Sequence, residues 1–324
     1  MIYVVYLGLA LLVVLLSTKL SSYVDALDKK TDLSGAFLGG VLLAAVTSLP
    51  ELFTSLTAVL ALNEPQLVQG DVLGSNVFNL CIPALLILCY MKRYQQSNIS
   101  HSHFNTLYFG LAMYVCCAFA VVSPFQISIG FLQVDLITIV IVVLYFINVR
   151  TMKNDDSAQN EEESDLQLSV KEIMIRFILL SLGLIVVSVA LTQVTNLIAE
   201  ELGLGATVAG AIFLGVATSL PELSASVQLV RLRNFNASIG NVVGSNLFNF
   251  TILCFADLLY NQGSIYILDG PTLLESQVGN LLGFGMLATV LMVIVMAFRK
   301  KKFLVALGCV AILGCYVLSI VCSM

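Results

Sequence analysis

Apolar runs long enough to cross a bilayer as helices recur about ten times along this chain. Within lipid, backbone groups must find their partners inside the protein, so a chain of such runs is expected to fold as a helix bundle. The runs cover Tyr3–Ser17, Leu33–Leu62, Asp71–Tyr90, Phe104–Val122 and Phe131–Val149, then Ile173–Ala199, Ala206–Val230, Ala237–Tyr260, Val278–Phe298 and Phe303–Cys322. Leu33–Leu62 and Ile173–Ala199 exceed the roughly 20 residues that one crossing needs, which predicts tilting or breaking. With 59% hydrophobic and 11% charged residues, the composition excludes an ordinary soluble domain. The first run lacks a basic leader and a small-residue cleavage site, so it is expected to remain as a helix. The eight Cys residues lie in the apolar runs with no C-x-x-C pair, and read as small packing residues.

The 15 Lys and Arg residues fall only in alternate gaps between these runs. Lys19, Lys29 and Lys30 occupy the first gap, and Lys92 and Arg93 the third. Arg150, Lys153, Lys171 and Arg176 flank the fifth. Arg231 and Arg233 lie in the seventh, and Arg299 to Lys302 in the ninth. Positive charge accumulates in cytoplasmic loops, so the odd gaps are expected inside the cell and both termini outside. A multi-pass protein of the plasma membrane is expected, in contact with lipid and with no nucleic-acid partner; a monomer is the working expectation. The polar, acidic stretch after Met152 reads as a flexible cytoplasmic linker, 151–170, between a first repeat at 1–150 and a second at 171–324.

Each half holds five runs, so the second enters the membrane with opposite polarity. The phrase TSLPEL starts at Thr47 in the second run and at Thr218 in the seventh. A related phrase follows each copy: GDVLGSNVFN from Gly70 and GNVVGSNLFN from Gly240. The fold class is therefore an all-α integral membrane protein, with about ten transmembrane helices arranged as two inverted five-helix repeats. Such repeats mark secondary transporters with a site near the membrane midplane.

The repeated phrases are rich in oxygen. On a helix, Thr47, Ser48 and Glu51 share nearly one face, as do Thr218, Ser219 and Glu222. Pro50 and Pro221 lack an N–H, which frees the carbonyls of Val46 and Ala217 beside them. Ser75 and Asn79 are four residues apart, as are Ser245 and Asn249, so each pair projects from one face. Gly70 and Gly74, and Gly240 and Gly244, have the G-x-x-x-G spacing that permits close helix approach. A carboxylate at the membrane centre costs roughly 2.5–3.5 kcal/mol on the mildest scale, so Glu51 and Glu222 call for a function. No Lys, Arg or His lies deep enough to pair with them, whereas Asp71, Asp135 and Asp257 sit nearer run ends. Oxygen cages of this kind suit hard cations. Single hydroxyls or amides in a membrane helix usually bond their own backbone or join helices. His101 and His103, in a predicted cytoplasmic loop without Cys or acidic neighbours, do not read as a metal site.

At these residues the chain resembles the cation/calcium exchanger superfamily, which includes the sodium/calcium exchangers. That family carries two inverted repeats, each with G-[ST]-S-x-P-E followed by G-S-N-x-x-[ND]. The matches are Thr47 to Glu51 with Gly74 to Asn79, and Thr218 to Glu222 with Gly244 to Asn249. The resemblance implies that Glu51 and Glu222 bind Ca²⁺ with help from Thr47 and Thr218. It also implies that Ser48, Ser219, Ser75, Asn79, Ser245 and Asn249 help to form flanking Na⁺ sites, with carbonyls from Ala44 and Gly215. It implies alternating access, the first and sixth helices sliding across a fixed core. The chain departs from the family in having Val46 and Ala217 where a Gly precedes the Thr. Asn249 stands where potassium-dependent members often have Asp, so coupled K⁺ transport is not expected.

The expected function is antiport of Ca²⁺, or a related divalent cation, against Na⁺. No enzyme activity and no cofactor are expected; the transported ions are Ca²⁺ and Na⁺. A Ca²⁺/H⁺ antiporter using the same glutamates, a passive cation channel and a non-transporting scaffold stay open. A nucleotide-driven pump is disfavoured by the lack of a G-x-x-x-x-G-K-[ST] sequence.

Overall fold

The structure, a computed structural model, describes residues 1–129, 132–153, 166–202 and 215–322. Among the described residues, nine helices are long and apolar enough to cross a membrane. The seventh predicted run, 206–230, is described only from residue 215. Most of the proposed linker likewise lies outside the described residues.

Helix α1, Ile2–Lys30, opens the chain. At 29 residues it is about 44 Å long, well beyond a hydrocarbon core of about 30 Å. The apolar run predicts a crossing that ends at Ser17, followed by a gap. Instead the helix continues, because Leu20, Tyr23, Val24 and Leu27 are buried in an apolar cluster. Its polar residues also find partners: Asn234 donates Nδ2 to Asp25 at 3.0 Å and to Asp28 at 2.8 Å, and Lys29 pairs with Asp25 at 3.1 Å.

The second run is a broken helix between Gly35 and Leu62. It comprises α2, Gly35–Phe37, a π-helical turn Leu38–Leu43, α3, Ala44–Thr47, α4, Leu49–Thr57, and a second π-helical turn, Ala58–Leu62. Then come α5, Pro65–Cys89, a short α6, Met91–Gln96, and α7, Ser102–Val122. His103 therefore lies in the first turn of a buried helix rather than in a loop, with Nε2 2.8 Å from Asn236 Oδ1. The fifth crossing starts later than the expected Phe131. Strands β1, Gln126–Ile129, and β2, Leu132–Asp135, form an antiparallel hairpin with Gln126 opposite Asp135, and α8 is Leu136–Lys153. Among the described residues, the regular structure outside this small hairpin is helical.

In the second half, α9 is Val170–Glu201, α10 is Leu220–Arg231 and α11 is Phe235–Leu259. Helices α12, Gln277–Ala297, and α13, Lys302–Cys322, complete the described chain. Helix α11 is buried along nearly all its length and α5 along most of it. They meet through a reciprocal pair of bonds: Asn76 Nδ2 donates to the Asn246 carbonyl at 3.2 Å, and Asn246 Nδ2 to the Asn76 carbonyl at 2.8 Å. Such exchange between equivalent residues is what an inverted repeat with a pseudo-two-fold axis requires. The close approach predicted for the second glycine pair is present. A Cβ on Gly244 would collide with the Gly40 backbone, and one on Gly39 with the Ala237 carbonyl. The sequence counterparts of Gly39 and Gly40, residues 210 and 211, lie outside the described residues. Helices α1 and α9 pack together across the outside of this core, sharing a cluster that contains Leu20, Leu27, Phe177, Leu184 and Leu191.

The gaps sort themselves by parity. At one end, Lys30 reaches the Leu168 carbonyl, Gln95 reaches those of Arg299 and Lys300, and Ser100 N–H donates to Asn236. At the other, Asn63 bonds Gln262, Gln69 bonds the Ile267 carbonyl and Ser264 bonds Asp135. Odd gaps meet odd gaps and even gaps meet even ones, as the alternation of basic residues predicts.

Candidate cation site

The helical path breaks at the serine of each TSLPEL phrase. Ser48 has φ −90° and ψ 7°, and Ser219 has φ −86° and ψ 7°. Each proline then falls in the first turn of a new helix, where its missing N–H costs nothing. The prolines thus begin helices rather than kinking them. The same break puts Glu51 in the first turn of α4 and Glu222 in the first turn of α10. A helix N-terminus favours a carboxylate, which offsets part of the cost of placing charge in the membrane.

Both glutamates are fully buried. Each is reached by the serine of the opposite break: Ser48 Oγ donates to Glu222 Oε1 at 3.0 Å, and Ser219 Oγ to Glu51 Oε1 at 3.5 Å. Among the described residues, no Lys, Arg or His pairs with either. Ser245 Oγ lies 3.5 Å from Glu222 Oε1, 3.4 Å from Thr47 Oγ1 and 3.5 Å from the Ala44 carbonyl. Thr47 Oγ1 also donates to the Ala44 carbonyl at 3.3 Å, and Thr218 Oγ1 to the Gly215 carbonyl at 3.2 Å. Hydroxyls therefore converge on the oxygens of Ala44 and Gly215, rather than on those of Val46 and Ala217. The two residues that replace glycine join the apolar cluster around α1 and α9.

Ser75 and Asn79 are buried on α5 with no hydrogen-bond partner for the Ser75 hydroxyl or for either polar atom of Asn79. Ser245 and Asn249 point to different partners: Asn249 Nδ2 donates to Asn76 Oδ1 at 3.0 Å and leaves its own Oδ1 free. Glu51 Oε2, Glu222 Oε2 and Asn246 Oδ1 are also buried without partners. A buried polar atom left unpaired costs about 1–3 kcal/mol. Free oxygens on all four core segments suit a ligand that accepts lone pairs and donates nothing, which is a bare cation. No group of three His, Cys, Asp or Glu side chains converges among the described residues, so the cage is two carboxylates among hydroxyl, amide and carbonyl oxygens.

Four polar residues here stand outside the site expected from the sequence. Asn76 and Asn246 join the two halves. Asn241 accepts from Thr47 Oγ1 at 3.4 Å and donates to Ser226 Oγ at 3.2 Å. Asp71, read as a run-end residue, accepts from Ser55 Oγ at 2.9 Å. The available signal was positional: all four fall in the duplicated phrase G-[DN]-V-x-G-S-N, in register between the halves.

The family model described as "Sodium/calcium exchanger protein" matches residues 1–152 and 173–324. The chain belongs to the sodium/calcium exchanger family. Among curated members it is 26% identical over 262 residues to the inner membrane protein YrbG of Escherichia coli K12, covering 79% of this chain and 78% of that one. A shorter stretch of 63 residues is 44% identical to the sodium/calcium exchanger MaX1 of Methanosarcina acetivorans, 19% of this chain and 18% of that one. The fold is that of the sodium-calcium exchanger NCX_Mj soaked with Na⁺ and Sr²⁺, with a TM-score of 0.72, 20% identity and 99% of both chains covered. The molecule is thus a multi-pass membrane transporter of the exchanger class, not an enzyme.

Proposed function

We propose that this exchanger moves Ca²⁺, or a related divalent cation, against Na⁺ by alternating access. The observation that carries the reading is the pair of buried glutamates at two broken helices, without a basic partner among the described residues and beside unpartnered oxygens. Glu51 and Glu222 would neutralise the divalent cation, with Thr47, Thr218, Ala44 and Gly215 completing its shell. Ser48, Ser219, Ser75, Asn79, Ser245 and Asn249 would serve the Na⁺ sites. One Ca²⁺ or a set of Na⁺ balances the same charge of −2, while the empty site resists crossing, and this alternation couples the two fluxes. Opening to each side falls to α1 and α9, which cover the core through apolar contacts. Charge distribution supports an even-gap face outside the cell, an odd-gap face and linker in the cytoplasm, and residence in the plasma membrane. MaX1 and NCX_Mj, both named as sodium/calcium exchangers, support Na⁺ as the coupling ion.

The test is ⁴⁵Ca²⁺ uptake into vesicles containing the purified protein under an outward Na⁺ gradient, and then under a pH gradient alone. Uphill uptake with Na⁺ is expected. Uptake driven only by the pH gradient would assign the coupling to protons, and flux that neither gradient drives uphill would indicate a channel.

A further inference from the structure

The two halves of the site are almost chemically identical. Seven paired polar positions repeat: Thr47 with Thr218, Ser48 with Ser219, Glu51 with Glu222, Ser55 with Ser226, Ser75 with Ser245, Asn76 with Asn246 and Asn79 with Asn249. At the eighth the halves differ in charge. Asp71 in the first corresponds to Asn241 in the second.

Both occupy the same niche. Ser55 Oγ donates to Asp71 Oδ2 at 2.9 Å, and Asn241 Nδ2 donates to Ser226 Oγ at 3.2 Å. Asn241 is fully buried and uses both its amide atoms, bonding Thr47, Ser226 and the Glu222 carbonyl. Asp71 is half-buried and accepts from Ser55, which sits one turn from Glu51 on α4. Glu51 itself is fully buried, and its Oε2 has no partner. Ser55 thus links Asp71 to the turn of α4 that carries Glu51, and a deep carboxylate with a free oxygen followed by a shallower, partly exposed one suits a divalent cation.

The position along the pathway follows from the helix directions. Ser55 is one turn beyond Glu51 toward the second gap, and Asp71 is six residues into α5 from that same gap, about 9 Å. Asn241 lies correspondingly on the seventh-gap side of Glu222. The extra carboxylate therefore belongs to the even-gap mouth alone.

We infer that Asp71 is a staging carboxylate for the divalent cation on the even-gap face, holding it with Glu51 and the Ser55 hydroxyl before it enters the cage. The inference rests on the antiport reading and deepens it: the two faces of this exchanger differ in divalent affinity because a single residue breaks the symmetry of the site. One added negative charge within several ångströms of a divalent cation changes its affinity by about tenfold or more at an intermediate effective dielectric.

Right-side-out and inside-out vesicles give access to each face in turn. The ratio of KM for ⁴⁵Ca²⁺ at the even-gap face to that at the odd-gap face is expected to rise about tenfold in Asp71→Asn. Asn241→Asp, which adds a carboxylate to the other mouth, is expected to raise the same ratio by lowering KM at the odd-gap face. An unchanged ratio in both variants would overturn the inference, and either variant suffices if the other does not fold. If the wild type shows no Na⁺-driven exchange, the antiport reading fails by itself, and ⁴⁵Ca²⁺ binding to the detergent-purified protein decides the role of Asp71. Weaker binding by Asp71→Asn sustains it; equal binding overturns it.

Discussion

Among the described residues, the fully buried carboxylates Asp135 and Asp257 are held very differently from Glu51 and Glu222. At the even-gap end, Asp257 Oδ2 accepts from the Asp135 backbone N–H at 2.8 Å and from Thr138 Oγ1 at 2.7 Å. Asp135 in turn accepts from the Phe125 N–H at 3.0 Å and from Ser264 Oγ at 2.6 Å. These bonds tie the hairpin, α8, α11 and the following loop together. At the core, Glu51 receives one long bond of 3.5 Å, Glu222 receives one of 3.0 Å from Ser48 and a long one of 3.5 Å from Ser245, and each retains a free oxygen. Asp257 also keeps one unpartnered oxygen, but its other oxygen holds two short bonds, where the core pair holds mostly long ones. Burial of an acid therefore does not by itself identify a transport site. What distinguishes the core pair is under-coordination beside other under-coordinated oxygens.

That contrast breaks most clearly through the glutamates. Glu51→Gln and Glu222→Gln should each reduce ⁴⁵Ca²⁺ exchange more than 100-fold, on the order of 3 kcal/mol. Thermal stability should not fall, because a buried charge has been removed. Full exchange activity in both variants would refute the proposed cage. Asp257→Ala should behave in the opposite sense. It strands the Asp135 N–H, at a cost of about 1–3 kcal/mol, and leaves the Thr138 hydroxyl with Tyr266 alone, so melting in detergent should move down by a few degrees. The folded fraction should keep its KM for Ca²⁺; a selective rise in KM would place this cluster on the ion path instead.

Smaller effects sharpen the comparison. Ser48→Ala should weaken Ca²⁺ affinity by about tenfold or more, the equivalent of one hydrogen bond to a carboxylate. Ser219→Ala, which removes the longer bond, should cost about twofold. Equal losses, measured by direct ⁴⁵Ca²⁺ binding, would mean that the two cross-bonds are equivalent in solution.

Much of the scaffold was legible because its signals are local. Run length marked the crossings, the Lys and Arg alternation sorted their ends, and the doubled phrases exposed the repeat and its two glutamates. Other features depended on partners far along the chain. Asp25 and Asp28 looked like gap residues, yet Asn234 lets α1 continue through them. The run starting at Phe131 hid a hairpin, since its apolar content was compatible with the crossing that follows. The prolines pointed to the right turn of helix, but the break falls at the preceding serines, and the carbonyls that gather hydroxyls are those of Ala44 and Gly215.

The sequence by itself determined how many times the chain is built to cross, in which alternating sense, and which two acids lie deep enough to demand a role. Those properties depend on residue type and spacing, which the bilayer reads segment by segment. Only the tertiary structure decided which carboxylates are locked and which are left open, and that Asp71 and Asn241 occupy equivalent niches. Several of the deciding hydrogen bonds come from groups far along the chain, 119 residues for Thr138 on Asp257 and 174 for Ser48 on Glu222, and no local pattern encodes such a meeting.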